Sequence, residues 1–196
     1  MNLLKRIHLL LAGMLMVAAF GADAQQKKDA SNEQKLDVEA VYQAMNSNPV
    51  SGSNFWMQGA TVQVHDQFWR GLGVVGAFSA LHNGNINDST VGLDLNVFTV
   101  GPRYTLKCPH GPWTVYGQVL AGEAWGRNSV FPALDAPTSK ANSLALTVGG
   151  GVSYGLRPRI SLRLLQTDWL RTQLPNATTG VQNNLRLGAG VVVRLK

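Results

Sequence analysis

From residue 36 onward this chain alternates apolar and polar side chains in eight stretches, and the connections between them run alternately short and long. Successive side chains of a β-strand point to opposite faces. An alternating stretch is therefore a strand with two different surroundings, and eight in series predict an all-β fold. The strands are expected at 36–45, 55–65, 68–81, 92–106, 113–125, 142–155, 159–170 and 184–195.

The composition of the two faces decides which all-β fold. In the last strand Leu185, Leu187, Ala189, Val191, Val193 and Leu195 share one face, while Asn184, Arg186, Gly188, Gly190 and Arg194 share the other. In the sixth, Leu144, Leu146, Val148, Val152 and Tyr154 oppose Ser143, Ala145, Thr147, Gly149, Gly151 and Ser153. A water-soluble barrel turns its large apolar face inward and its charges outward. Here the second face is small or polar, which suits a narrow lumen, and the greasy face suits lipid. The sequence predicts an eight-stranded antiparallel transmembrane β-barrel over residues 36–196. A soluble lipocalin-like binding protein is the alternative. Two strands lose parity part-way, near Gln166 and Asp168 and near Gly101-Pro102; a β-bulge in each restores it.

The connections give an orientation. Asp66-Gln67, Leu156-Arg157-Pro158 and Lys107 to Pro112 are short, whereas residues 46–54, 82–91, 126–141 and 171–183 are long and rich in Asn, Ser, Thr, Gly and Pro. In outer-membrane barrels short turns are periplasmic and long loops extracellular. With an even strand count both termini are then expected in the periplasm. Trp56, Trp69, Trp113, Trp125 and Trp169, with Phe55 and Phe68, fall near strand ends, as interfacial aromatic girdles do.

The first residues read as a secretory signal. Lys5 and Arg6 precede the apolar run Leu9 to Phe20, and Ala22-Asp23-Ala24 is a small-x-small cleavage site. The run is short for a membrane span of about 20 residues, so cleavage is expected near Ala24. Residues 25–35 are polar without apolar period and read as a flexible leader.

The whole chain holds 17 basic and 11 acidic residues, a net charge of +6. These cations are scattered, with Lys27-Lys28 the longest run, and nucleic-acid binding needs a patch or stripe. The balance suits outer-membrane lipids and lipopolysaccharide. Cys108 is the single cysteine, so no internal disulfide forms, and beside His110 it lacks the ligands of a metal site. Gly149-Gly150-Gly151 lies inside a strand and is not a phosphate loop. No cofactor motif is present.

Gly101-Pro102-Arg103-Tyr104, followed by Val115-Tyr116-Gly117-Gln118-Val119-Leu120-Ala121-Gly122, resembles the middle hairpin of OmpA-like outer-membrane barrel domains. Leu187-Gly188-Ala189-Gly190-Val191-Val192-Val193-Arg194-Leu195 resembles their last strand. The resemblance covers residues 36–196. It implies a structural, adhesive or weakly pore-forming, porin-like role in the cell envelope. It also implies passage through periplasmic chaperones and the barrel assembly machinery. Two departures stand out: the last strand ends Leu195-Lys196 instead of on an aromatic residue, and no peptidoglycan-binding domain follows.

Chemistry has one candidate. His82, Asp88 and Ser89 fall in one long loop, with residue types fit for nucleophilic catalysis, as in lipid A acyltransferases and deacylases. The same segment also reads as an ordinary polar loop, and a non-enzymatic role is expected. His65 and His110 lie at the opposite end. The charged residues within strands, Arg103, Glu123, Arg163, Asp168, Arg186 and Arg194, are read as a lumen network, because Arg on the lipid face near mid-membrane costs about 2–4 kcal/mol. Glu123 is expected inside, paired with Arg103, Arg163 or Arg186. Such pairing plugs a lumen about wide enough for side chains.

Overall fold

The computed structural model describes residues 35–50, 53–86, 91–109, 111–133, 136–176 and 180–195. The expected signal peptide and most of the leader lie outside them, as do Asp88, Ser89 and His110. Among the described residues there are eight strands: β1 (Lys35–Val50), β2 (Ser53–Trp69), β3 (Leu72–Asn83), β4 (Leu93–Lys107), β5 (Trp113–Phe131), β6 (Thr138–Arg157), β7 (Ile160–Thr172) and β8 (Gln182–Arg194). Each pairs antiparallel with its sequence neighbours, and β8 returns to β1 from Asp37↔Arg194 to Asn46↔Leu185, closing the ring. Closure leaves no sheet edge, so every strand finds its backbone partners within the wall.

The outer wall is apolar. Val62, Val64, Phe78, Val100, Val119, Val148, Leu187 and Val191 all project from it, each at least 39% exposed. At about 25 cal/mol per Å², such a belt is costly in water and favourable in hydrocarbon. Trp69 and Trp113 project at the short-turn end, and Trp56, Trp125 and Trp169 project toward the long-loop end. Trp113 meets Tyr154 edge-on, with centroids 5.0 Å apart. Phe55 departs from the expected girdle. It points inward and is buried with the apolar lumen cluster.

Strand boundaries differ from the sequence reading in instructive places. The β2–β3 turn lies at Arg70-Gly71, not Asp66-Gln67; both residues have positive φ, 37° and 94°. A two-residue hairpin turn of that hand matches strand twist, and Gly71 takes the wider angle without strain. The long connections are shorter than expected, because β5 and β6 continue pairing to Phe131↔Thr138.

The bulge expected in β7 is present. Leu164 and Leu165 are both exposed between buried Arg163 and Gln166, and the register shifts against both β6 and β8. The one expected near Gly101-Pro102 is absent, since β4 keeps one register with β3 and with β5 through that point. Alternation looked broken there because the inward face of β4 itself changes. Leu93, Leu95 and Val97 belong to an apolar cluster, whereas Thr99 and Arg103 are polar, and all five are buried.

That change runs around the barrel and divides the lumen into two layers. Toward the long loops lie Met45, Met57, Leu81, Leu95, Val97, Ala124, Ala145 and Leu170, closed over by Phe131, Ile86 and Leu174. Toward the short turns most inward side chains are polar, with Val75, Ala77 and Leu120 forming a small apolar cluster among them.

Candidate functional site

The polar layer is the chemically distinctive part of the molecule. Alternation alone directs its members inward: Asp37, Glu39 and Gln43 on β1, Thr61, Gln63 and His65 on β2, and Gln166 and Asp168 on β7 are all buried. Small residues make the room. A Cβ on Gly149 would collide with the Asp168 carboxylate, and one on Gly151 would meet the Tyr116 ring. The glycine run of β6 thus hollows the wall opposite two bulky polar side chains.

Glu39 is the hub. Its two carboxylate oxygens each form an ion pair with one guanidinium, Oε1 with Arg103 of β4, which also donates a hydrogen bond to it, and Oε2 with Arg163 of β7. Both guanidiniums also stack on Tyr116, with Cζ 4.2 and 4.0 Å from the ring centroid, an arrangement that cation–π attraction favours. Arg103 donates further to Gln63 Oε1 and, through Nε at 3.0 Å and Nη2 at 2.7 Å, to Gln118 Oε1. Gln118 Nε2 then donates to Asp168 Oδ1 at 3.2 Å, and Gln166 Nε2 to Asp168 Oδ2 at 2.7 Å.

Arg186 lies 3.5 Å from Asp168 and donates to Ser79 Oγ and Thr147 Oγ1. Thr61 bonds both Gln43 and Ser79 at 2.6 and 2.7 Å. Every strand contributes at least one side chain. Buried ions are tolerated when paired and hydrogen-bonded, and the mesh satisfies most of that demand while crossing the lumen. Arg194 sits apart, part-buried near the short-turn mouth, donating to Asp37 Oδ1 at 3.0 Å.

Of the residues expected in the lumen, Arg103, Arg163, Asp168 and Arg186 are brought together, and Arg194 joins a separate pair. Glu123 is not among them, which corrects the expectation. It shares the outward parity of Val115 and Val119, lies in register between Phe98 and Leu144, and accepts from Asn142 Nδ2 at 2.7 Å on the outer surface. Its place toward the long-loop end, two residues short of Trp125 on the same face, puts the carboxylate at the margin of the belt. Charge costs less there than at mid-belt. The hub the sequence reading missed, Glu39, was legible by the same parity, since it falls on the face of Asp37 and Gln43 and opposite Val38 and Tyr42.

A second polar group lies outside the wall at the long-loop end. His82 Nδ1 bonds Asp94 Oδ1, and Asp94 Oδ2 accepts from Asn128, tying β3, β4 and the β5 extension together.

Closed ring, apolar outer belt and polar crossing of the lumen define the architecture of small eight-stranded outer-membrane barrels, and solved structures of that class are similar to this chain. Neisserial surface protein A matches with a TM-score of 0.61 at 15% identity, over 81% of this chain and 96% of that one. Ail, the attachment invasion locus protein of Yersinia pestis, matches at 0.53 and 16% identity, over 82% of this chain and 99% of that one. Its complex with the heparin analogue sucrose octasulfate matches at 0.52 and 17%, with the same coverage. No protein-family model matches the chain, and no curated protein does.

Proposed function

We propose that the protein is an integral outer-membrane barrel with a structural, adhesive or surface-contact role. Its short turns and both termini face the periplasm, and its long loops face outward. The observation that carries this reading is the combination of a lipid-compatible outer wall with a lumen crossed by buried ion pairs. It leaves the long-loop end as the surface free to meet partners. The described exposed cations at that end are Arg127, Lys140 and Arg171. They fit anionic groups such as lipopolysaccharide phosphates. Ail, which has the same fold, was solved with a sulfated sugar, which supports an anionic glycan as a class of outer ligand. Chaperones and the barrel assembly machinery would serve biogenesis.

The test is topological and chemical. An epitope placed between Phe131 and Thr138 is expected to be detected on intact cells, and a tag at the C-terminus only after permeabilisation. The reverse pattern overturns the orientation. Lipopolysaccharide co-sedimentation should weaken several-fold when Arg127, Lys140 and Arg171 are all replaced by Gln.

The His82–Asp94 dyad favours a second reading, because a carboxylate that orients an exposed imidazole is what a lipid-modifying enzyme requires of its base. We read the dyad as a loop tie and the protein as non-enzymatic, since Asp94 is shared with Asn128. Cells making His82→Ala protein should then show an unchanged lipid A acyl pattern, and a changed pattern would favour the enzyme.

A further inference from the structure

We propose that the short-turn end of the lumen is a binding site for a small oxyanion of the phosphate class. The polar layer opens at this end into a vestibule lined by Lys107, Arg194, Arg163, Tyr116, Ser153 and Ser161, together with Asp37 and Glu39. Its charges do not cancel. Arg103, Lys107, Arg163 and Arg194 face two carboxylates, and those two are already engaged: Asp37 by Arg194, and Glu39 by Arg103 and Arg163.

Arg163 supplies the second observation. It is 3% exposed and spends Nη2 on Glu39, but its Nε and Nη1 have no hydrogen-bond partner in the protein, nor does the Tyr116 hydroxyl stacked beneath it. Buried donors without acceptors are costly. A tetrahedral oxyanion presents several acceptors at once, and Arg forks match phosphate geometry. The hydroxyls of Ser153 and Ser161 on the same lining add neutral donors, and Lys107 at the mouth adds a point charge. The vestibule ends at the crossing formed by Glu39 and Arg103, so the anion is held in a pocket and is not conducted.

The same chemistry is offered by free phosphate and by a phosphate-bearing lipid headgroup at the rim. The experiment separates them and, being done in detergent, does not depend on the orientation proposed above. Purified barrel in a non-ionic detergent is titrated calorimetrically with inorganic phosphate, with short-chain phosphatidic acid, and with chloride at matched ionic strength. Saturable binding is expected for phosphate and not for chloride. Arg163→Gln should weaken it at least tenfold, and Lys107→Gln, at an exposed strand end where folding is not at stake, several-fold. Glu39→Gln should strengthen binding, because it removes the anion already competing for both guanidiniums; a mere packing defect would weaken it. Binding of phosphatidic acid alone, with the same dependence on Arg163 and Lys107, supports the site and identifies the headgroup as its source. No saturable binding of either phosphate compound, equal response to chloride, or unchanged binding in both the Arg163 and Lys107 variants overturns the proposal.

Discussion

Two glutamates illustrate what parity does at the scale of one residue. Glu39 and Glu123 both sit within strands; one holds two buried arginines and the other meets Asn142 on the outside. Removing one partner of a buried pair leaves an uncompensated charge, a loss of about 3–5 kcal/mol. Glu39→Ala is therefore expected to lower the unfolding free energy in urea-containing detergent by about that amount, and Glu123→Ala to change it by no more than about 0.5 kcal/mol, as surface substitutions do. The contrast was available in the sequence. Glu123 follows Val115, Val119 and Ala121 at even spacing, so it belongs to the outward row. Placing it by charge alone, with the thought that every strand carboxylate must be lumenal, overlooked the aqueous margin of the belt, where a carboxylate is tolerated. What the sequence could not supply was the choice of partners, because Glu39, Arg103 and Arg163 meet across the ring and their depths depend on how eight registers add up.

At the scale of the element, β7 shows how one additional residue keeps a face intact. Leu164 and Leu165 both point outward, and the strand is one residue long against both neighbours at that point. Deleting Leu164 should regularise both ladders while leaving Arg163, Gln166 and Asp168 inside. That variant is expected to keep the heat-modifiable mobility of a folded barrel on a gel. Deleting Thr167 instead turns Asp168 outward or forces Leu165 inward, and the compact band should be lost. The bulge was readable because a polar pair appeared on a greasy row. The false expectation in β4 came from the same kind of signal with a different cause. Its outward row of Phe98, Val100, Pro102 and Tyr104 never breaks, while its inward row passes from the apolar layer to the polar one. Alternation reports two faces, and it misleads where a face has two environments along its length.

For the whole molecule, the two-layered lumen bears on permeation and on assembly. A pore would need a continuous wet path, and this one meets the polar mesh at the short-turn side and then the apolar layer under Phe131. Planar-bilayer recordings are expected to give little or no conductance, and Glu39→Ala to raise it less than a variant that also replaces Met45 and Leu170 by Ser. Assembly draws on another property of the mesh. Glu39 comes from the first strand, Arg103 from the fourth and Arg163 from the seventh, so the hub exists only when β8 has bridged the seventh strand to the first. Until then the growing sheet carries two guanidiniums without a counter-ion, and nothing short of the finished ring is comfortable in the bilayer. The ion pairs thereby act as a check on completeness: a chain that lacks β1 through Gln43 leaves Arg103 and Arg163 without their carboxylate, and one that stops short of β8 leaves Asp168 and Asp37 without Arg186 and Arg194.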